Sequence, residues 1–166
     1  LIKLGVDVRV VIPKYKNIKD EFKQNLQFIK WFTVPVGWRN QYCGVFQYKY
    51  KDVVYYFIDN EYYFNRDGLY GYYDDGERFA FFNRAVLEFI KEKNQLIGLG
   101  SASKNARPIL EKVKILHLFD AIVDGNDVTN AKPDPEVFVR AAKLLNATNE
   151  NSMVFEDSVA GIQAAN

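Results

Sequence analysis

The chain has 166 residues, about the length of one domain, and its 22 basic and 21 acidic residues leave a net charge of only +1. That balance argues against a nucleic-acid-binding protein that relies on a broad basic field. The sequence has no stretch of about 18 apolar residues that would span a membrane. Its single cysteine excludes an internal disulfide framework and a multi-cysteine metal site.

The aromatic residues are spread unevenly along the chain. Of the 13 Phe, 11 Tyr and 2 Trp, only Phe119, Phe138 and Phe155 follow residue 90. Alanine shows the reverse trend, because only Ala80 and Ala85 precede residue 91. Two compositions in one chain indicate two origins, although an aromatic-rich face on one continuous domain would give a similar count.

Four strands are predicted in the first half. Asp7–Pro13 is β-branched, apolar and closed by proline, which is typical of a parallel strand that is buried on both faces. Leu1–Gly5 before it is typical of the end of a helix. Further strands are predicted over 28–36, 43–50 and 53–59, with a hairpin turn at residues 51–52.

A loop and a long helix follow the predicted strands. Residues 60–74 are polar and aromatic, and they predict a structured loop. Asp74 is a candidate helix cap, with Glu77 as its capping-box partner. The helix is predicted over 76–93, where apolar residues recur at helical spacing: Phe79, Phe82, Val86, Phe89 and Ile90.

Strands and helices alternate in the second half, which is typical of βα units on a parallel sheet. Strands are predicted over 96–100, 121–124 and 153–156. Helices are predicted over 103–113, over 135–145 and from Ser158 onward. The fold class expected for the chain is α/β, with incomplete Rossmann-like parallel-sheet fragments and a β-hairpin in the first half.

Three polar clusters of the second half follow the predicted strands or lie between them, near the edge where parallel sheets bind ligands. Residues 101–105 carry hydroxyls and backbone amides that suit a phosphate oxygen, or an ordinary helix cap. Lys132 precedes two prolines and suits a phosphate, or a solvated loop. Glu156 and Asp157 suit Mg²⁺, or the start of a capped helix.

Residues 91–166 resemble the C-terminal part of β-phosphoglucomutases, in the haloacid dehalogenase superfamily. The words that carry the resemblance are GSASKNARPILEK, LFDAIVDGNDV, AKPDPEVF and VFEDSVAGIQAA. The resemblance implies Mg²⁺-dependent phosphoryl transfer on β-glucose 1-phosphate.

This resemblance also implies roles for the matching positions. Ser101 would bind phosphate through its hydroxyl, and Ala102 through its backbone N–H. Lys132 would neutralise the phosphate, while Glu156 and Asp157 would hold Mg²⁺. The residues that would orient the sugar phosphate are Ser103, Lys104 and Asn105.

The nucleophile of that family is not found in this sequence. It is an Asp in an N-terminal D-x-D-G segment, and no such segment occurs here. The sequence has Arg9 two residues after Asp7, and Asp74-Asp75-Gly76 precedes a predicted helix instead of following a strand. The helical cap that gives the family its sugar specificity is not found either. We therefore expect phosphoryl transfer to be lost.

The loop over residues 59–78 is the candidate site of the first half. Aromatic rings would stack on sugar faces there, and carboxylates would accept hydroxyl hydrogen bonds. A packed structural loop accounts for the same residues equally well. The candidate glucan contacts are Asp59, Tyr62, Arg66 and Tyr70, beside the charged Glu61, Asp74 and Asp75.

Residues 1–88 resemble the N-terminal domain of bacterial glycogen (starch) synthases, which extend α-1,4-glucan from ADP-glucose. The words that carry this resemblance are LGVDVRVVIPKY, WRNQYCGV, YYFIDNEYYFNRDGLYGY and DDGERFAFFNRAVLE. Val6 stands where that family usually has His. Neither the family's Lys-x-Gly-Gly motif nor its nucleotide-binding domain is found in these 166 residues.

The two resemblances meet near residue 90, so the expected domain fragments are 1–90 and 91–166. Three functions stay open: a mutase-type sugar-phosphate enzyme with residual activity, a non-catalytic glucan- or phosphate-binding module, and an inactive chimera, which we favour. The expected ligands are sugar phosphates and glucans, with Mg²⁺ as the cofactor of the second half. We expect a cytoplasmic chain without nucleic-acid or membrane partners.

Overall fold

The computed structural model describes residues 9–165, and the first part of this range forms a four-stranded sheet. Its strands are β1 (Arg9–Pro13), β2 (Gln27–Val36), β3 (Arg39–Tyr50) and β4 (Val53–Asp59). They are ordered β1-β4-β3-β2, with β1 parallel to β4 and the other two pairings antiparallel.

The predicted strand over 7–13 is confirmed for its described residues. Asp7 and the predicted helix end at Leu1–Gly5 lie outside the described residues. The expectation of burial on both faces is wrong for β1, because only Pro13 of this strand is buried. The strand lies at the edge of its sheet with β4 as its neighbour, and an edge strand is covered less than a central one.

Two-residue turns connect the antiparallel strands. Gly37 has a φ of +59° in the turn from β2 to β3, a backbone conformation that glycine adopts at little cost. The predicted hairpin between β3 and β4 is confirmed, because Tyr50 pairs with Val53 across the second turn. β3 begins at Arg39, four residues earlier than predicted, since the first turn pairs Arg39 with Val36 and extends the ladder through polar residues.

One long helix covers a face of this sheet. Two short helices, α1 (Asp20–Lys23) and α2 (Glu61–Phe64), precede α3 (Asp75–Glu92), which lies within one residue of the predicted bounds. Phe81, Ala85 and Phe89 of α3 recur every four residues and are buried, as expected for the apolar stripe of an amphipathic helix. They pack into one core with Val34, Cys43, Val45, Tyr56, Ile58, Tyr63 and Phe64.

The predicted capping box at the start of α3 is wrong. The Asp74 carboxylate pairs with the Arg66 guanidinium, through Nη1–Oδ1 and Nη2–Oδ2 distances of 2.6 and 2.7 Å. The Glu77 carboxylate accepts hydrogen bonds from Arg39 and from the Tyr63 hydroxyl. Partners that are distant in sequence therefore take both of the side chains that would have capped the helix.

The second part of the chain alternates short strands with helices, as predicted. Its elements are β5 (Gly98–Gly100), α4 (Ala106–Lys112), β6 (Ala121–Val123), α5 (Glu136–Leu144) and α6 (Val159–Ala165). β5 and β6 pair in parallel and form a second sheet. Val123 of β6 packs against Val137 and Ala141 of α5, so the helix covers this sheet. These βα units and the β3–β4 hairpin confirm the α/β class.

The strand predicted over 153–156 is wrong. This segment has no regular secondary structure, and Met153, Val154 and Phe155 are all exposed. A strand is stabilised by hydrogen bonds to a neighbour, and none of the described strands pairs with this segment. The apolar residues favour a strand here, but no described strand lies beside this segment to pair with it.

The chain divides into two compact units, Leu1–Phe89 and Ile90–Asn166, which we call the first unit and the second unit. Within residues 9–165, no helix is both long enough and apolar enough to cross a membrane.

Candidate ligand sites

A pocket of about 270 Å³ lies beside the carboxyl ends of β5 and β6 in the second unit. The Ser101 amide donates to the Val123 carbonyl at 2.9 Å, so the loops after the two strands begin side by side. We call this cavity the Ser101–Lys132 pocket. It is lined by Ser101, Ala102, Lys104, Gly125, Val128, Thr129, Asn130, Ala131, Lys132 and Val137.

The loop after β5 forms one wall of this pocket through serine-capped turns. The Ser101 hydroxyl accepts from the Ser103 amide at 3.2 Å, and the Ser103 hydroxyl accepts from the Asn105 amide at 3.2 Å. Both bonds close turns within the loop, and neither serine caps α4, whose N-cap residue is Asn105. Ser101, Ala102 and Lys104 line the pocket, whereas Ser103 and Asn105 are exposed residues outside its lining.

Gly125 is a pocket residue that the sequence analysis missed. A Cβ atom at this position would lie 2.4 Å from the Ala102 carbonyl oxygen and 3.1 Å from the Lys104 amide nitrogen. Only glycine therefore lets the loop after β6 approach the loop after β5 this closely. The signal in the sequence was a glycine directly after a predicted strand. Thr129 and Asn130 also line the pocket and were missed as well.

Lys132 also lines this pocket and is held by an ion pair. Its Nζ donates to Glu156 Oε2 at 2.5 Å and lies 4.6 Å from the centre of the Phe138 ring. Glu156 Oε1 accepts from the Ser158 hydroxyl and from the Ser158 and Asp157 amides. These bonds, with that from Lys132 the largest cause, lower the pKa of the Glu156 carboxyl to about 2.

The predicted magnesium ligands do not form a chelating group. Both oxygens of Glu156 are occupied by protein donors, and Asp157 is an exposed residue whose amide donates to Glu156. Asp124, the buried carboxylate beside the pocket, is paired with Arg107 at 2.6 Å. Within residues 9–165, no group of three or more metal-ligating side chains comes together. As they are arranged, Glu156 and Asp157 do not fit Mg²⁺, which prefers carboxylate oxygens free of competing cations.

A second pocket, of about 430 Å³, lies at the end of β4 in the first unit. Asp59 ends the strand, and its Oδ1 accepts from Lys14 Nζ at 3.2 Å. Asn60 caps the short helix α2 by accepting from the Tyr63 amide, and it donates to the Tyr42 carbonyl at 2.8 Å. We call this cavity the Asp59 pocket, and its lining is Gln41, Tyr42, Asp59, Asn60, Glu61 and Tyr62.

The four predicted glucan contacts lie in different surroundings. Asp59 and Tyr62 line the Asp59 pocket together. The Arg66 guanidinium lies 5.5 Å from the Tyr62 ring centre but is committed to its ion pair with Asp74. Tyr70 is outside the pocket lining, is 72% exposed, and contacts the Phe79 ring at 5.8 Å. The structure therefore brings together only part of the predicted set.

Two family models match this chain. The model of the starch synthase catalytic domain matches residues 1–101, and that of the haloacid dehalogenase-like hydrolase matches residues 82–166. The two matches overlap over residues 82–101, which include the second half of α3 and all of β5. Both resemblances drawn from the sequence are confirmed.

Curated glycogen synthases are similar to this chain. A glycogen synthase of Clostridium botulinum is 56% identical over 119 residues, which are 70% of this chain and 25% of the relative. The chain thus spans about a quarter of the length of this glycogen synthase and of two others from Clostridium.

Solved structures resemble the chain as well. A β-phosphoglucomutase of Clostridium difficile is 35% identical, with a TM-score of 0.47 over 54% of this chain and 47% of that one. The catalytic domain of starch synthase IV from Arabidopsis thaliana, bound to ADP and acarbose, is 17% identical. Its TM-score is 0.52 over 74% of this chain and 27% of that one, a likeness of fold.

Proposed function

Because the chain belongs to the starch synthase catalytic domain family through residues 1–101 and to the haloacid dehalogenase-like hydrolase family through residues 82–166, we propose that it is a carbohydrate-metabolism chimera that binds a sugar phosphate without converting it. The proposed join lies near residue 90, with domain fragments at 1–90 and 91–166. The proposed binding site is the Ser101–Lys132 pocket.

The charge of this pocket is the observation that carries the proposal. Lys104 and Lys132 both line it, and none of its described lining residues is a carboxylate. Glu156 balances the charge of Lys132, so the Lys104 ammonium is the charge that attracts an anion, and the Ser101 hydroxyl offers a polar contact at the same place. A phosphate monoester supplies both the charge and the oxygen acceptors that such a site binds.

The side chains of this pocket bind and orient, but they offer no activated nucleophile. The Ser101 hydroxyl already accepts from the Ser103 amide, and no general base lies among the described lining residues. Glu156, the nearest acid to Lys132, is kept ionised by its partners and has no free oxygen for a metal. Binding without turnover is therefore what the arrangement supports.

Amide NMR with β-glucose 1-phosphate tests the binding. We expect saturable shifts at Ser101 and Lys104 in the millimolar range, and about tenfold weaker binding in Lys104→Ala, which loses one charge on the phosphate. Lys143→Ala is the matched control, because Lys143 lies on α5 outside the pocket lining. No shift at these residues, or equal shifts with unphosphorylated glucose, would overturn the proposed phosphate site.

A separate assay tests the proposed lack of turnover. With β-glucose 1-phosphate and Mg²⁺, the formation of glucose 6-phosphate should not exceed the blank. The contrary result is turnover above the blank that Lys132→Ala abolishes. Adding Mg²⁺ to the binding titration should leave the affinity unchanged, since Glu156 is already paired with Lys132; a large gain with Mg²⁺ would restore Glu156 and Asp157 as metal ligands.

A second candidate function is glucan contact by the first unit. It is favoured by the Asp59 pocket, where Tyr42 and Tyr62 stand beside the carboxylates of Asp59 and Glu61. Of the other predicted contacts, Arg66 supports Tyr62 and Tyr70 adds an exposed ring nearby in sequence. Transfer from ADP-glucose to glycogen should stay at the blank, so this candidate is a binding function that saccharide titration measures.

A further inference from the structure

The register of the first sheet places three residues in one row across it. Trp31 of β2 pairs with Gly44 of β3, and Gly44 pairs with Asp59 of β4. Directly paired residues of antiparallel strands point to the same face, and residues two apart on one strand do so as well. Trp31, Tyr42, Gly44 and Asp59 therefore share one face.

This face is opposite to the one that α3 covers. Val34, Cys43 and Val45 belong to the other face by the same alternation, and they pack with Phe81 of α3 in the core. The rings of Trp31 and Tyr42 are not needed for that core. They remain 60% and 44% exposed.

Trp31 and Tyr42 form a flat aromatic surface. Their ring centres are 6.3 Å apart and their planes differ by only 23°, the geometry of an offset stack. We call this pair the Trp31–Tyr42 platform. A stacked pair of exposed rings holds its orientation better than a single ring, so a flat ligand meets a surface that is already ordered.

Gly44 is what allows Tyr42 to lie across the sheet. A Cβ at this position would stand 2.5 Å from the Tyr42 hydroxyl oxygen and 3.2 Å from Asp59 Cβ. The phenol ring thus passes over the glycine toward Asp59, and its hydroxyl reaches the edge of the Asp59 pocket. Burial, and then the charge of Asp59, raises the pKa of the Tyr42 phenol, which agrees with this placement.

The polar groups beside the platform select the class of ligand. Asp59 and Glu61 contribute carboxylates to the pocket; Lys14 balances Asp59, so the charge of Glu61 is what disfavours an anionic ligand there. Carboxylates accept hydrogen bonds from hydroxyl groups, while an aromatic plane packs against the C–H face of a pyranose ring. The volume of about 430 Å³ falls in the usual range for a small-molecule site.

We propose that the Trp31–Tyr42 platform stacks a pyranose ring of a neutral glucan chain whose hydroxyls are bound by Asp59 and Glu61. The proposal rests on the candidate glucan contact at Asp59 and adds the residues that hold the sugar ring. It assigns binding to the β2–β3 part of the first unit, which the sequence had treated only as strands.

Tryptophan fluorescence isolates the platform, because the chain has only two tryptophans. In Trp38→Phe, Trp31 is the sole tryptophan, and maltohexaose should change its emission with a saturable millimolar response. In Trp31→Phe, the remaining Trp38 is 92% exposed in the turn after β2, and its emission should not respond. Near-UV circular dichroism and a urea melt confirm that both variants are folded.

Affinity measurements by amide NMR decide the outcome. Trp31→Ala should weaken maltohexaose binding about tenfold, whereas Trp38→Ala leaves it unchanged. Shifts at Asp59 and Tyr62 that persist with full affinity in Trp31→Ala would overturn the platform but keep the glucan contact. No shift anywhere in the first unit would overturn both. A larger emission response to glucose 1-phosphate or to a proline-rich peptide than to maltohexaose would also refute the proposal.

Discussion

Replacing Arg78 by methionine should unfold the loop between α2 and α3. Arg78 is 0% exposed and lies on α3. Its Nε donates to the Tyr63 carbonyl at 2.9 Å, and its Nη1 is 2.5 Å from Asp75 Oδ1. The guanidinium also lies 5.0 Å from the Tyr72 ring centre. One buried cation thus ties both ends of the loop to the helix.

The cost of this substitution can be worked out from those contacts. Leaving the buried Tyr63 carbonyl without its donor costs about 1 to 3 kcal/mol. Loss of the desolvated cation over Tyr72 adds about 1 kcal/mol. Asp75 adds little, because its side chain is partly exposed and it still accepts from the Gly71 amide at 2.7 Å. Methionine recovers part of the apolar burial, so we expect a net loss of about 2 kcal/mol in the free energy of unfolding.

Urea unfolding monitored by tryptophan fluorescence measures this loss, and hydrogen exchange of the amides over 63–75 locates it. Arg84→Met is the matched control, because Arg84 lies on the same helix and its Nε is 3.6 Å from Glu88. Arg84 is partly buried, but its Nε has no hydrogen-bond partner among the described residues and the ion pair is long, so the control should change stability by less than about 1 kcal/mol. Equal stabilities for the two variants, with unchanged exchange in the loop, would refute the reasoning.

Three further predictions concern the end of the second unit. The hydrogen bond from Lys132 is the largest cause that lowers the pKa of Glu156 to about 2. This ionised carboxylate therefore stabilises the folded chain fully above pH 4.5, its ordinary pKa, and the stabilisation is lost as the pH falls from there toward 2. Glu156→Gln should flatten that part of the stability curve, and an unchanged acid slope would contradict it. Gly161→Ala should lower the free energy of unfolding by about 1 to 3 kcal/mol, because the added Cβ would lie 2.1 Å from the Glu156 carboxyl carbon. Wild-type stability in a urea melt would argue against this packing. Phe155→Ser should change the free energy of unfolding by less than about 0.5 kcal/mol, since Phe155 is 89% exposed. A larger loss in a urea melt would mean that Phe155 is buried in solution.

The sequence predicted best those elements that depend on neighbouring residues along the chain, such as turns and an amphipathic helix. The turn between β3 and β4 and the helix α3 lie where turn residues and helical spacing placed them. The capping box failed because Asp74 and Glu77 met Arg66 and Arg39, residues that local pattern cannot pair with them. The Arg66 guanidinium donates two hydrogen bonds to the Asp74 carboxylate and brings an opposite charge, whereas a cap supplies only a backbone N–H.

The candidate sites divide in the same way. Ser101 and Lys132 were identified from their place relative to predicted strands, and both line one pocket. The ion pair between Glu156 and Lys132 was not predicted. From the sequence, Lys132 suited a phosphate or a solvated loop, and Glu156 suited Mg²⁺ or the start of a capped helix. Gly125 was missed since a glycine reveals its purpose only when the backbone that approaches it is known.

The sequence by itself determined the two-family composition of this chain, the alternation of its second half and the hairpin of its first. These follow from residue types and short-range spacing, which persist whatever the chain packs against. Only the tertiary structure decided that Trp31, Gly44 and Asp59 form one row, and that residues 153–156 remain outside any described strand. Strand register and side-chain pairing join residues far apart in sequence, so their energies depend on which surfaces the folded chain brings together.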